Sequence, residues 1–350
     1  MPLSLTPARI LLGAVFALTM HPLLAADFPV PAEGDWTLRD FHFRSGEVLP
    51  ALTLHYRTVG APGGIPVLLL HGTTQSGASL LAPQFGGALF GPGQPLDASR
   101  YFVILPDAIG HGKSSKPSDG LRAAFPRYST EDMVDAQHQL VTEHLGIPHL
   151  RMVLGYSMGG METWIYAQKY PAMMDIAVPM ASLPTEMAGR NWILRRLISD
   201  SIRNDPAWMN GNYTTQPRSA QRSSVFFGLA TNGGSQALQK AAPTRAKADA
   251  LLDARLAAPF PADANDVLYQ WESSRDYDPS AGLERITATL LAINSAELGI
   301  MESALRRVRN GRMLLVPASE LTAGHGTAFR ADLWKNTLAE VLKNTPQPVK

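Results

Sequence analysis

Residues 150–161 read Leu-Arg-Met-Val-Leu-Gly-Tyr-Ser-Met-Gly-Gly-Met. Ser157 stands between Gly155 and Gly159, directly after the apolar run Met152, Val153 and Leu154. Glycine suits backbone positions where a side chain would collide. One on each side of Ser157 implies a turn too tight for Cβ atoms. A sharp strand-to-helix turn of this kind lifts a serine hydroxyl clear of the end of its strand. At average glycine and serine usage, G-x-S-x-G arises by accident in about one chain in ten of this length. The surrounding chain therefore has to supply what such a serine requires.

Working outward, His149 to Leu154 reads as the strand that enters the turn, and Met158 to Tyr170 as the helix that leaves it, stopped by Pro171. Ile65 to Leu70, Tyr101 to Leu105 and Ile176 to Met180 are short continuous apolar runs, the mark of strands buried on both faces. Trp36 to Phe43 and Ala51 to Val59 alternate as an antiparallel pair turning at Ser45-Gly46. Ser129 to Leu145 carries a helical stripe, with Ser129 and Asp132 offering a capping box. Strands alternating with helices predict a parallel sheet. The alternation stops between about Leu183 and Asp278, where helical stretches such as Trp192 to Arg203 and Thr244 to Leu256 form an inserted cap. The sheet resumes at Ala288 to Ile293 and Met313 to Val316, and Phe329 to Leu342 closes the chain as a helix. The expected division is a signal at 1–26, a core at 27–182, a cap at 183–280 and the rest of the core at 281–350.

Composition bounds the function. The 350 residues are 45% apolar and 17% charged, as in an ordinary globular protein. A formal charge of +1, with no basic run, excludes nucleic acid as a partner. There is no cysteine, which excludes a thiol nucleophile, thiolate metal sites and a lipidated cysteine. Arg9, the apolar run Ile10 to Met20 and the small residues Ala25 and Ala26 follow the order of a secretory signal. The expectation is a periplasmic or secreted protein starting near Ala26 or Asp27, with no membrane span after signal removal.

A serine hydroxyl is a poor nucleophile until a base takes its proton. On a strand–turn–helix serine the partners follow in chain order serine, acid, histidine. His325, flanked by Gly324 and Gly326 after the Met313 strand, is the base in the expected place. His71, His111 and His138 precede the serine and fit that order worse. The acid belongs after the Ala288 strand, where Glu297 is the first carboxylate and Glu302 the reserve. Backbone donors for an oxyanion come from Met158, after the serine, and Thr73, in the loop after the Ile65 strand. Asp107 precedes the serine and reads as a loop-orienting residue.

With these residues in place, the chain resembles the homoserine O-acetyltransferase branch of the α/β-hydrolase superfamily, in a hydrolase-like subgroup. The resemblance runs from about Gly34 to Lys343. It is carried by Ser157-Met158-Gly159-Gly160-Met161, by Asp205-Pro206-Ala207-Trp208 followed by Gly211 and Tyr213, by Asp263-Ala264-Asn265 and by Gly324-His325-Gly326. Stretches similar to Tyr213-Thr214-Thr215-Gln216-Pro217 and Ala292-Ile293-Asn294-Ser295-Ala296 mark the subgroup. The resemblance implies an α/β-hydrolase fold, a mostly parallel sheet with helices on both faces and an inserted helical cap. It also implies acyl transfer through an acyl-serine intermediate, with no cofactor and no metal. Two positions depart from it. The family's acidic residue is an Asp that falls at or beside Leu298, next to Glu297. Its acceptor-holding cap arginine falls at Ser199, with Arg195, Arg196 and Arg203 nearby.

The leading expectation is an exported hydrolase of a small-molecule ester or related acyl compound. The rivals are an O-acetyltransferase drawing on an acyl-CoA donor, and a non-catalytic binding protein on the same fold. The sequence leaves a homodimer open. Trp192, Trp208, Tyr213, Phe226, Phe227, Tyr269 and Trp271 are the cap aromatics available either to an acyl pocket or to the cap's own core.

Overall fold

The computed structural model describes residues 27–295 and 298–347. The expected signal at 1–26 and Glu297 lie outside the described residues.

Eight strands form one sheet: β1 (Ala32–His42), β2 (Val48–Val59), β3 (Ile65–Leu70), β4 (Tyr101–Pro106), β5 (Leu150–Tyr156), β6 (Met174–Met180), β7 (Thr289–Asn294) and β8 (Gly311–Leu315). Their order across the sheet is β1-β2-β4-β3-β5-β6-β7-β8. The β1–β2 and β2–β4 pairs are antiparallel, and every later pair is parallel. β4 and β5 flank β3 on opposite sides, so the strand order reverses there. The carboxyl ends of β3 and β5 thus open on the crevice where sheets of this kind place their sites.

The apolar runs become strands because both faces of the sheet are covered. In β3, Val67 and Leu69 join one core cluster with Phe85, Leu105, Leu154 and Trp334. Leu68 and Leu70 join the opposite one with Val153, Trp164 and Tyr166. This is the period of two that a strand imposes. Each such side chain contributes about 1.5–3 kcal/mol on burial.

The main helices are α1 (Thr130–Gln139), α2 (Met158–Lys169), the cap helices α3 (Gly189–Arg203), α4 (Arg218–Thr231), α5 (Gly234–Ala241), α6 (Arg245–Ala257) and α7 (Ala264–Glu272), then α8 (Leu298–Leu305) and α9 (Lys335–Asn344). Ser129 and Asp132 form the capping box of α1. α1 ends earlier than its stripe suggests, opening into a π-turn over Leu140–His144. Thr142 Oγ1 donates to the His138 carbonyl at 2.8 Å, competing for the acceptor that a regular helix would give to residue 142's amide. The last helix starts late, at Lys335, because Trp334 Nε1 donates to Ala328 O at 2.8 Å and holds the preceding chain in short turns.

Between β6 and β7 the cap folds around its own cluster, with Ile198, Ile202, Trp208, Tyr213, Val267 and Trp271 at its centre. α7 fastens it to the core. Asp266 accepts from Ser118 N–H and O–H at 2.8 and 2.6 Å, and Gln270 Nε2 donates to Gly110 O at 2.6 Å. α6 buries no residue. Among the described residues no helix is long and apolar enough to cross a membrane.

One buried charge site bears on stability. Glu162, on α2, is 1% exposed and accepts a hydrogen bond from Gln137 Nε2 at 3.0 Å. Burial pushes its carboxyl up to about 8, against a smaller opposing effect of Gln137. The folded state therefore keeps a proton that the unfolded chain releases near its ordinary 4.5. This contribution to stability is complete below pH 4.5 and is lost as pH rises towards 8. Glu162→Gln keeps the Gln137 contact without the ionisation. It should raise the urea midpoint at pH 8, by an amount equivalent to about 4 kcal/mol, and converge with wild type near pH 4.5. Equal midpoints across that range would contradict the assignment.

Candidate active site

Ser157 sits at the end of β5 with φ 58° and ψ −109°. A non-glycine residue at positive φ stores strain of about 1–3 kcal/mol, so the surroundings must impose it. They do so from both neighbouring strands. Ser157 N–H donates to Met180 O at 2.9 Å on the β6 side, and Gly159 N–H donates to His71 O at 2.9 Å on the β3 side. A Cβ on Gly155 would overlap the Gly159 carbonyl, and one on Gly159 would overlap Leu70 O. Only glycine lets strand, turn and helix approach this closely.

His325 opens a short turn over His325–Phe329, after a loop that leaves β8. Its Nε2 lies 2.8 Å from Ser157 Oγ. The two residues are 168 positions apart in sequence, so the contact is a product of the fold. Burial holds the imidazole down to about 4, and the positive charge of Arg195 adds to the effect. A neutral imidazole is the form that can accept the serine proton.

Met158 and the Thr73 loop adjoin this pair. Met158 is the first residue of α2 and buried. Thr73 lies two residues beyond His71, whose carbonyl is tied to Gly159, so the Thr73 loop is held against the start of α2. Among the described residues the Met158 and Thr73 amides have no hydrogen-bond acceptor. Glu297 lies outside the described residues, and Glu302 is exposed on α8.

His71 and Asp107 brace the loops behind the site. His71 is buried; its Nδ1–H donates to Gly72 O at 2.8 Å and its Nε2 accepts from Ala108 N–H at 3.0 Å. Burial lowers its pKa, which preserves the acceptor at Nε2. Asp107 accepts from Gly77 N–H at 2.7 Å, Lys113 N–H at 2.9 Å and Arg57 Nη1 at 3.1 Å. It joins two loops to β2 and touches neither Ser157 nor His325.

Most of the cap aromatics are used by the cap itself. Trp208 Nε1 donates to Asn265 Oδ1 at 2.8 Å and Phe227 packs on Trp271 at 4.3 Å, whereas Tyr269 OH reaches out of the cap to donate to Phe125 O at 2.9 Å. Phe226 points away from the cap core, 55% exposed. The cap's distinctive group is Arg195 on α3, 4% exposed. Its guanidinium donates to Asn191 Oδ1 and Ser274 Oγ, each at 3.0 Å, and lies 5.0 Å from the centre of the Trp271 ring. Burial lowers its pKa to about 10, and among the described residues it has no carboxylate partner. Its placement was available in the spacing: Arg195, Ile198, Ser199 and Ile202 form the buried stripe of α3, an arginine where an apolar residue is the rule.

Residues 65–218 match the family described as alpha/beta hydrolase fold. In sequence the chain is similar to a homoserine O-acetyltransferase of Geotalea daltonii, 34% identical over 197 residues that make up 51% of this chain and 53% of that protein. The chain thus spans about half the length of that curated relative. In structure it is similar to a homoserine O-acetyltransferase from Bacillus anthracis, with a TM-score of 0.79 at 18% identity, covering 91% of this chain and 100% of the other. It is also similar to the acetyl esterase MekB, with a TM-score of 0.76 at 22% identity, covering 89% and 97%. At these identities the structural likenesses speak for the fold. The chain has the α/β hydrolase fold and is similar in sequence to the homoserine O-acetyltransferases.

The acid limb of activity tests the candidate acid. Burial and Arg195 both depress the His325 pKa, and a carboxylate at Nδ1 would oppose them. With Glu297 in that role, wild-type kcat/KM should fall on acidification closer to pH 6.5 than to pH 4. Glu297→Gln should move that limb towards 4 and lower kcat on the order of a hundredfold. If only Glu302→Gln has this effect, Glu302 is the acid. If neither does, the pair works without one.

Proposed function

We propose that this protein is an exported serine hydrolase of carboxylic esters or related acyl compounds, working through an acyl-serine intermediate. The observation that carries the reading is the 2.8 Å contact between His325 Nε2 and Ser157 Oγ, on a serine held at positive φ. In this reading Ser157 Oγ attacks the acyl carbonyl carbon as its proton passes to His325 Nε2. The carbonyl oxygen becomes an oxyanion facing the Met158 and Thr73 amides, which are free to donate. The tetrahedral intermediate collapses, the C–O bond to the alcohol breaks, and His325 returns its proton to the leaving oxygen. Water then attacks the acyl-serine with His325 again as base. The Glu297 carboxylate steadies the imidazolium in both halves. Export rests on the order of residues 9–26, and protein isolated from its host should begin near Ala26 or Asp27 on N-terminal sequencing. An intact Met1 would reverse it.

A second reading, transfer of the acyl group to an acceptor, is favoured by one observation. Arg195 is a buried cation on the inner stripe of α3, its charge felt at His325. Such a group suits an acyl chain or acceptor that carries a carboxylate. An alkyl fluorophosphonate should label wild type and not Ser157→Ala; equal labelling of both would end the hydrolase reading. On a panel of short esters, each anionic substrate should be compared with its neutral counterpart. Arg195→Met should cut kcat/KM for the anionic members about 10–100-fold and leave the neutral ones within about threefold. Equal losses on both would make Arg195 a structural residue.

A further inference from the structure

Ser157 is fixed by the sheet, whereas His325 depends on a loop that leaves β8 at Leu315 and runs to Gly324. Whatever holds residues 323–325 decides whether Nε2 reaches Oγ. From the core come two side-chain bonds. Tyr156 OH donates to His325 O, and Ser295 Oγ donates to Gly324 O, both at 3.4 Å, the long end of the range. From the cap comes a shorter, backbone bond. Gly233 N–H donates to Ala323 O at 3.0 Å, beside an antiparallel bridge that pairs Asn232 with Gly324.

The crossing is built for backbone alone. A Cβ on Gly324 would lie 2.6 Å from Thr231 O, and one on Gly234 would lie 3.2 Å from Gly324 N. Gly233, Gly234 and Gly324 take φ of 93°, 67° and 56°, conformations that other residues adopt only with strain. The Asn232-Gly233-Gly234 turn joins α4 to α5, so it belongs wholly to the cap. Its sequence is an ordinary helix-to-helix turn, with nothing in it that announces a partner on the far side of the chain.

We propose that the Asn232–Gly234 turn of the cap is a positioning element for His325, so that the Ser157–His325 pair is complete only while the cap is seated on the histidine loop. The inference rests on His325 serving as the base for Ser157. It adds that cap movement and proton transfer are coupled: lifting the α4–α5 turn withdraws the backbone tie that the cap makes to the loop carrying the base.

Gly234→Ala and Gly324→Ala press on the same crossing from its two sides. Each should lower kcat for a small neutral ester about 10–100-fold with KM within about threefold, since a displacement near 1 Å of a reacting group costs that order of rate. The rate of fluorophosphonate labelling should fall in step. Two folded variants that lose only melting temperature, with kcat and labelling rate as in wild type, would overturn the proposal. Hydrogen exchange on wild type requires neither variant nor substrate. Peptides covering 228–236 and 321–328 should gain deuterium together; exchange of the cap peptide faster by orders of magnitude would also overturn it. A wild type that the fluorophosphonate never labels sinks the hydrolase reading instead, and the exchange result still decides the clamp.

Discussion

The backbone of Ser157 is the constraint on which the rest turns. At φ 58° and ψ −109° it is a conformation the residue would not hold in isolation. It persists because β5 has β3 on one side and β6 on the other, and each neighbour offers a carbonyl to the turn: His71 O to Gly159 and Met180 O to Ser157. The same two bonds fix where the hydroxyl points and where the first turn of α2 begins. The strand order and the serine's geometry are therefore one fact, seen at two scales.

Behind the turn, Asp107 and His71 are buried with partners for their polar atoms. Asp107 spends its oxygens on two amides and one guanidinium, and His71 uses one nitrogen as donor and the other as acceptor. A neutral His71 suits that double duty, since a protonated ring would turn its acceptor into a second donor facing the Ala108 amide. The bracing of the Thr73 loop relies on groups that stay out of the chemistry.

The core was legible because its signals are local. Ile65–Leu70 is read as a buried strand from composition alone and forms one with the same ends. The glycines around Ser157 announce a collision that the structure then displays. The nearness of His325 to Ser157 was legible through chain order, as a histidine between two glycines after the last strand, and its Nε2 lies 2.8 Å from the hydroxyl. The cap was less readable. Its aromatics suggested a pocket, yet Trp208, Tyr269 and Trp271 pack or hydrogen-bond within and beneath the cap, because a small helical insertion must build a core of its own. Arg195 could be placed on the buried stripe of its helix but not matched to what it faces, and the Asn232–Gly234 turn gave no distinct signal. Their meaning lies in what stands opposite them, and that is set by contacts across roughly a hundred residues of chain. A periodicity records which face is buried and is silent on what it is buried against.

The cap leaves the sheet after Met180 and returns at Thr289, yet β6 and β7 are neighbours, and Ala181 N–H donates to Ile293 O at 2.9 Å across the gap. The insertion's two ends are thus pinned side by side whatever lies between them. The entropy of closing such a loop grows only with the logarithm of its length, about 0.6 kcal/mol per doubling. A chain built this way can exchange, shorten or lengthen its cap at almost no cost to the sheet. The cap can drift quickly in descendants while Ser157 stays where it is, provided that each new cap finds its own way to meet the loop that carries His325.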